Sequence, residues 1–358
     1  MAASKGSVLV AMSGGVDSSV AACLLHEQGY EVVGAHMNLV HLDGVEHGCC
    51  GPSARADAAE VARIAGFPFE IVDLSAEFDS EVVHDFLAEH EDGRTPNPCA
   101  RCNGGIKFGA FLGLAEARGF DHVATGHYVR TLQEDGTWRL LRGVDRSKDQ
   151  TYMLHMLGQR ALSRSIFPIG GLTKPVTRAI AERFGLPVAT KPDSQELCFA
   201  PAGDAGGFVR DHAPTLVRSG EVVDVEGRRV GEHDGTFAFT VGQRRGLGVA
   251  SGTPAYVVEL DATANRVVVG PQELLARRGL VADRASWVAG GPPSDGPFEA
   301  EVRIRYRGED APAVVTARGD AFEVEFRTPQ RAIAPGQSAV IYRGDELLGG
   351  GRIVEARR

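Results

Sequence analysis

Residues 10–20 read VAMSGGVDSSV, and the way this run breaks decides what the rest of the chain builds. The apolar stretch SVLVAM stops at two glycines, and a second pattern, SSVAACLLHEQG, starts at about Ser18 and ends at Gly29. The first has the length and composition of a buried strand; the second has the spacing of an amphipathic helix. In such a strand–loop–helix turn the loop N–H groups and the helix N-terminus converge on one point, which favours an anion. Neither common phosphate motif fits: a Walker A loop needs Gly-Lys-Ser/Thr and this loop has no lysine, and the run has no G-x-G-x-x-G.

The neighbouring segments continue the alternation. YEVVGAHMNL, PFEIVDL and HVATGHYV read as strands, and SARADAAEVARIAGF and IKFGAFLGLAEARGF as helices. That order predicts an α/β unit, a parallel sheet covered by helices, with its ligand at the carboxyl ends of the strands. After about residue 200 the texture changes to short alternating runs broken by Gly, Asp and Pro, such as GEVVDVEGRRVGEHDGTFAFTVGQRRGLG, which predicts antiparallel β structure. The expected domains are therefore 1–200 (parallel-sheet catalytic), 201–274 (small, mixed) and 275–358 (β-barrel), consistent with 358 residues being too many for one typical domain.

Composition narrows the function classes. No stretch approaches the ~20 apolar residues of a membrane span, and the opening MAASKGSVLVAMSGG is too interrupted for a signal peptide, so a cytoplasmic protein is expected. A net charge of −9 disfavours non-specific nucleic-acid coating. The charge is uneven: residues 1–200 hold 18 basic against 25 acidic residues and residues 201–358 hold 20 against 22, the latter 20 all arginine. Arginine suits phosphates and bases, although genomic composition also explains such a bias.

Six cysteines in a reducing compartment are not a disulfide framework. GRTPNPCARCNGGIKF places Cys99 and Cys102 in a proline-stiffened loop just before a helix, where a thiolate is favoured. LPVATKPDSQELCFA puts Cys198 in another polar, turn-rich segment. A C-x-x-C by itself is open to zinc, redox chemistry or coincidence. Cys23, flanked by alanines and leucines, reads as core, and the vicinal pair Cys49 and Cys50 as buried or tolerated surface thiols.

The loop itself, SGGVDSS from Ser13 to Ser19, resembles the PP-loop S-G-G-x-D-S-S of enzymes that cleave ATP between the α- and β-phosphates. Further motifs in the same order, GRTPNPCARCNGGIKFG, ATGHYVR, KDQTYML, GLTKPVTRAIAERFGLPVATKPDSQELCF, FTVGQRRGLGV, IRYRG, PGQSAVIY and GGGRI, make the chain similar, nearly end to end, to the tRNA-specific 2-thiouridylases. The resemblance implies an adenine-nucleotide α-hydrolase-like (PP-loop) domain, a small central domain and a C-terminal β-barrel. It implies that ATP adenylates the C2 oxygen of the wobble uridine and that sulfur then displaces AMP. By matched position, ATP is held by Ala11, Met12, Ser13, Gly14, Gly15, Val16, Asp17, Ser18 and Ser19, with Asp17 helping to position Mg²⁺, and by backbone groups of Met37 and Gly126.

The same matching implies that Cys198 carries a persulfide and that Cys102 is the nucleophile that releases its sulfur, leaving a Cys102–Cys198 disulfide. A cysteine desulfurase or sulfur carrier would supply the sulfur. Cys99 stands where many members have aspartate; with Cys102 and Cys198 it makes a 4Fe-4S cluster with one open iron an alternative. Residues matching tRNA contacts are Asn97, His127, Lys148, Asp149, Gln150, Arg305, Tyr306 and Gln337. In EVRIRYRG, period-two spacing puts Arg303, Arg305 and Arg307 on one strand face, an expected RNA platform, with Gln243 to Arg245 a second basic turn. The rivals are a PP-loop ligase for a small molecule, such as an argininosuccinate, GMP or NAD synthetase, which needs no paired cysteines, and an RNA-binding scaffold without ATP cleavage.

Overall fold

The computed structural model describes residues 5–40, 51–193, 197–200, 204–249 and 254–358. Cys49 and Cys50 lie outside the described residues. In chain order the strands are β1 (Ser7–Ala11), β2 (Glu31–Asn38), β3 (Phe69–Asp73), β4 (His122–Ala124), β5 (Val129–Glu134), β6 (Thr137–Arg142), β7 (Ser165–Ile166), β8 (Gly220–Asp224), β9 (Arg229–His233), β10 (Tyr256–Asp261) and β11 (Arg266–Gly270). The last six are β12 (Ala276–Trp287), β13 (Phe298–Arg303), β14 (Ala311–Arg318), β15 (Ala321–Arg331), β16 (Ser338–Arg343) and β17 (Glu346–Arg357).

The first sheet is parallel, in the order β3-β2-β1-β4-β7. Central β1 explains the apolar run SVLVAM: Leu9 and Ala11 enter one core, Val8, Val10 and Met12 the other, so the strand is apolar on both faces. The expected strand HVATGHYV is two. It breaks after Ala124, and the chain leaves the parallel sheet to form the β5–β6 hairpin. Close packing dictates the break, since a Cβ at Gly126 would lie 2.5 Å from the Ser18 nitrogen.

That hairpin joins the last sheet, where Leu140 and Leu141 of β6 pair with Leu347 and Glu346 of β17. The six strands β12-β15-β14-β13-β16-β17 close into a barrel through β12–β17 pairing, which removes the open edges. Between them, β10-β11-β8-β9 forms a four-stranded sheet around Val222, Val257, Val267 and Val269. The first unit and the barrel share a core: Leu9, Cys102 and Tyr152 lie in one cluster with Tyr342 and Leu347. At the seam the Arg142 guanidinium stacks 3.7 Å from the Tyr342 ring centroid and pairs with Asp310 at 2.8 Å.

The expected arginine row does not form. Strand β13 ends at Arg303, and residues 304–307 turn, closed by the Gly308 N–H donating to the Arg305 carbonyl at 2.9 Å. Period-two spacing ceases to apply beyond Arg303. Its guanidinium turns inward to Asp310, 2.8 Å away, and over Tyr342, while Arg305 and Arg307 stay exposed on the turn.

Buried histidines make the fold sensitive to acid, His155 and His90 among them. Burial pushes His155 and His90 from the ordinary 6.5 down to about 4. Below pH 6.5 the unfolded chain binds protons that these folded imidazoles refuse, so their contribution is complete above 6.5 and is lost as pH falls towards 4. The loss amounts to about 3 kcal/mol for each at the acid limit. The unfolding midpoint in urea is expected to fall from pH 7 to pH 4.5, and His155→Gln to flatten part of that slope. A slope unchanged in the variant would show that His155 titrates normally.

Candidate nucleotide and thiol site

Because β1, β2 and β4 run parallel, Ala11, Met37 and the chain after Ala124 reach the same edge of the sheet. The loop from Met12 to Gly15 caps that edge. Its shape comes from short side chains: the Ser13 N–H and hydroxyl lie 3.2 and 3.3 Å from the Ser18 hydroxyl, and the Ser19 hydroxyl donates to the Gly15 carbonyl at 2.8 Å. Gly14 has φ +71, and a Cβ there would sit 2.0 Å from the Ala54 carbonyl, so both conformation and space demand glycine. The helix Val16–Glu27 starts at Gly15 with no side-chain cap, which leaves its first N–H groups directed at the loop's open side. Gly126 packs against Ser18 from the other side, so its backbone borders the same space.

The cations that the loop lacks come from elsewhere. The Lys174 ammonium, 7 % exposed, lies 2.8 Å from both Asp17 oxygens and 2.6 Å from Asp193. The Lys191 ammonium donates to the Gly14 carbonyl at 3.0 Å and pairs with Asp57. The Tyr128 hydroxyl donates to Asp17 at 2.8 Å; burial raises its pKa, which keeps the proton in place. Burial disfavours the Asp193 carboxylate, but the ammoniums of Lys174 and Lys148 outweigh it and hold its pKa below the ordinary value. Lys174, Lys191, Tyr128 and Asp193 are the residues that sequence reasoning missed. A signal was available: Thr-Lys-Pro occurs twice, at 173–175 and 190–192.

The thiols differ from their expected setting. The helix begins at Pro98, so Cys99 and Cys102 lie within it, not in a preceding loop. The Asn97 side chain caps it by accepting from the Ala100 N–H at 3.2 Å. From Cys102 to Ala110 the helix widens to π turns before returning to α form at Phe111–Ala117. Cys102 is 8 % exposed, in the cluster that contains Ala11 and Phe199; Cys198 packs against that cluster, half-buried. Cys99 is exposed, and Cys23 is core at 1 % exposure, its thiol raised to about 11 by burial and by Glu27. Among the described residues no three His, Cys, Asp or Glu side chains are gathered to hold a metal ion. Cys99, Cys102 and Cys198 do not form such a group.

Several residues matched to tRNA contacts face inward. His127 is buried between Phe108 and Phe167, its Nδ1 2.7 Å from the Thr125 hydroxyl; burial, with Lys107 nearby, holds its pKa well below the usual value. Asp149, 6 % exposed, accepts from Thr151 and from the Gly143 N–H. Lys148 pairs with Asp193 at 2.9 Å, and the Gln150 side chain accepts from the Tyr128 N–H at 3.0 Å. Gln337 donates to the carbonyls of Thr95 and Pro96 at 2.9 and 3.2 Å, so the barrel grips the chain entering the Cys102 helix. The Asn97 amide reaches Ser338 at 3.4 Å on the same seam. Tyr306 is half-buried, 6.1 Å from Tyr152 ring to ring, and Arg305 is exposed beside it.

A family model described as the tRNA methyl transferase HUP domain matches residues 6–202, one described as the tRNA methyl transferase PRC-barrel domain matches 206–271, and one described as the aminomethyltransferase beta-barrel domain matches 277–353. The chain is 47% identical over 360 residues to the tRNA-specific 2-thiouridylase MnmA of Acidothermus cellulolyticus, covering 98% of each. It is 48% identical over 353 residues to that of Chloroflexus aurantiacus, covering 97% of this chain and 98% of the relative. For the Heliobacterium modesticaldum protein of the same name the figures are 48% over 360 residues, 98% and 93%. Among the described residues no helix is long and apolar enough to cross a membrane.

Proposed function

The chain belongs to the tRNA-specific 2-thiouridylase family, and from that premise we propose that it carries out ATP-dependent 2-thiolation of the wobble uridine of tRNA. The observation that carries the reading is a convergence. The loop from Ser13 to Ser19 lies at one edge of the parallel sheet with the ammoniums of Lys174 and Lys191 against it, and Ala11, the last strand residue before the loop, shares its core cluster with Cys102, against which Cys198 packs. The loop N–H groups and Lys174 hold the β- and γ-phosphates as pyrophosphate leaves, offsetting charge that develops there. Asp17 is the carboxylate that would help to hold the Mg²⁺ accompanying the nucleotide, which supplies further charge neutralisation when bound. Backbone groups of Met37 and Gly126 border the adenosine.

The uridine must leave the anticodon stack to reach both nucleotide and sulfur. Arg305, Tyr306, Lys148 and Asn97 line the seam through which it enters, while His127, Asp149, Gln150 and Gln337 act by shaping the walls, which is where their hydrogen bonds point. Cys198, half-buried, receives sulfur as a persulfide from a cysteine desulfurase or carrier; its terminal sulfur replaces the adenylated oxygen, and Cys102 takes the remaining sulfur as a disulfide. The test is pyrophosphate release and 2-thiouridine formation by the purified protein with ATP, persulfide donor and a tRNA transcript. Both are expected to require ATP and tRNA together. Pyrophosphate release driven by a small amino or carboxylate substrate without tRNA would establish the ligase rival instead.

A further inference from the structure

We infer that Cys99 is a resolving thiol, which collects the oxidation left by each sulfur transfer and presents it at the surface. The inference rests on the thiolation reading. Each turnover leaves Cys102 and Cys198 joined, and Cys102 is 8 % exposed among Phe108, Phe111 and Phe199. At Cys102 that bond is closed to a protein reductant, and its other sulfur, on half-buried Cys198, sits where the sulfur donor must dock. Cys99 lies three residues earlier on the same helix, one turn away, and is exposed. Residues i and i+3 are neighbours on a helix face, and the Cys102 N–H donates to the carbonyls of Cys99 and Pro98, which keeps the two cysteines one helical turn apart where the π turns begin. The start of the helix is meanwhile anchored by Asn97 to Ala100 and to Ser338, so Cys99 stays beside Cys102.

The exchange balances without an added oxidant. The Cys99 thiolate attacks the Cys102 sulfur; a Cys99–Cys102 bond forms as the Cys102–Cys198 bond breaks, and the electron pair leaves on Cys198, which is free to accept sulfur again. An external protein dithiol of the thioredoxin class then attacks the exposed Cys99 sulfur, Cys102 leaves as thiolate, and the reductant's second thiol closes its own disulfide. The two electrons come from that reductant. Exposure of Cys99 and burial of Cys102 set the direction of this relay.

The test follows one turnover of persulfide-loaded protein on tRNA without reductant, then steady turnover with thioredoxin, thioredoxin reductase and NADPH, with disulfides mapped by alkylation and peptide mass spectrometry. Wild type is expected to end its first turnover with Cys99 joined to Cys102; Cys99→Ser is expected to keep a first turnover within about twofold but to stop with Cys102 joined to Cys198. Its steady rate with thioredoxin falls at least about tenfold and returns with a small phosphine reductant. A Cys102–Cys198 disulfide persisting in wild type, or unchanged steady turnover in Cys99→Ser, overturns the inference. So does loss of the first turnover together with bound iron, which would make Cys99 a cluster ligand. No thiolation in the wild-type first turnover would instead sink the thiolation reading, and the inference with it.

Discussion

Serine at Cys198, or alanine at Cys102, reduces 2-thiouridine formation by at least about a thousandfold while ATP–pyrophosphate exchange in the presence of tRNA stays within about threefold of wild type. The two halves of the reaction use different atoms. On the proposed mechanism, adenylation needs the phosphate loop and the uridine oxygen, and sulfur delivery needs a persulfide and a second thiol to take the remaining sulfur. Alanine suits Cys102 because that side chain sits in an apolar cluster, and alanine removes the sulfur without burying a new polar group that would confuse a folding loss with a catalytic one. Cys198 is half-buried, so serine there is tolerated. A small-molecule ligase would show no loss in either variant, which makes the pair decisive against that rival. Exchange abolished together with thiolation would mean that the thiols shape the nucleotide site and do not carry sulfur.

Lys174→Met is expected to lower the rate of tRNA-dependent pyrophosphate release by about 10²–10³, with a smaller effect on the KM for ATP. The ammonium is nearly enclosed and bridges Asp17 to Asp193, so methionine keeps the stem and removes the charge. Two carboxylates are then left facing one another, with Tyr128 on Asp17 and Lys148 and Arg178 on Asp193 to compensate in part. A fall in thermal midpoint accompanies the change, and Lys174→Arg separates the two effects. Arginine restores the charge and hence the fold, but its wider fork does not occupy the same point near the phosphates. Unaltered pyrophosphate release by a folded Lys174→Met would show that Lys174 only holds Asp17 in place.

The two experiments probe parts of the site that differ in how readily the chain discloses them. The phosphate loop is local: seven consecutive residues between a strand and a helix contain all of its glycines and hydroxyls, so its conformation follows from short-range sterics and hydrogen bonds. The parallel sheet is legible for the same reason, because apolar runs and helical periodicity report burial directly. Lys174 and Lys191 were not legible as loop partners, since they lie 157 and 177 positions away from the groups they touch. The packing of the helix Lys174–Arg183 beside the loop brings in Lys174, and the segment that follows that helix brings in Lys191.

The arginines of EVRIRYRG show the opposite failure. Alternation in EVRIRYRG is a sound strand signal as far as Arg303, but a periodic pattern carries no information on where a strand stops when a barrel turns. Likewise a polar segment such as SKDQTYML reads as surface, yet Asp149 and Gln150 satisfy buried backbone donors.

By itself, then, the sequence determined the parallel sheet, the glycine- and serine-rich loop at its edge and the barrel, all of which follow from neighbouring residues or from whole matched motifs, and it singled out Cys102 and Cys198 as the thiols to test. The tertiary structure alone decided which lysines face the loop, which polar side chains turn inward, that a hairpin of the first unit completes its pairing on the barrel, and that Cys99 is exposed while Cys102 is enclosed. Local chemistry is written in consecutive residues, whereas solvent access and charge pairing depend on which distant segments come to lie together.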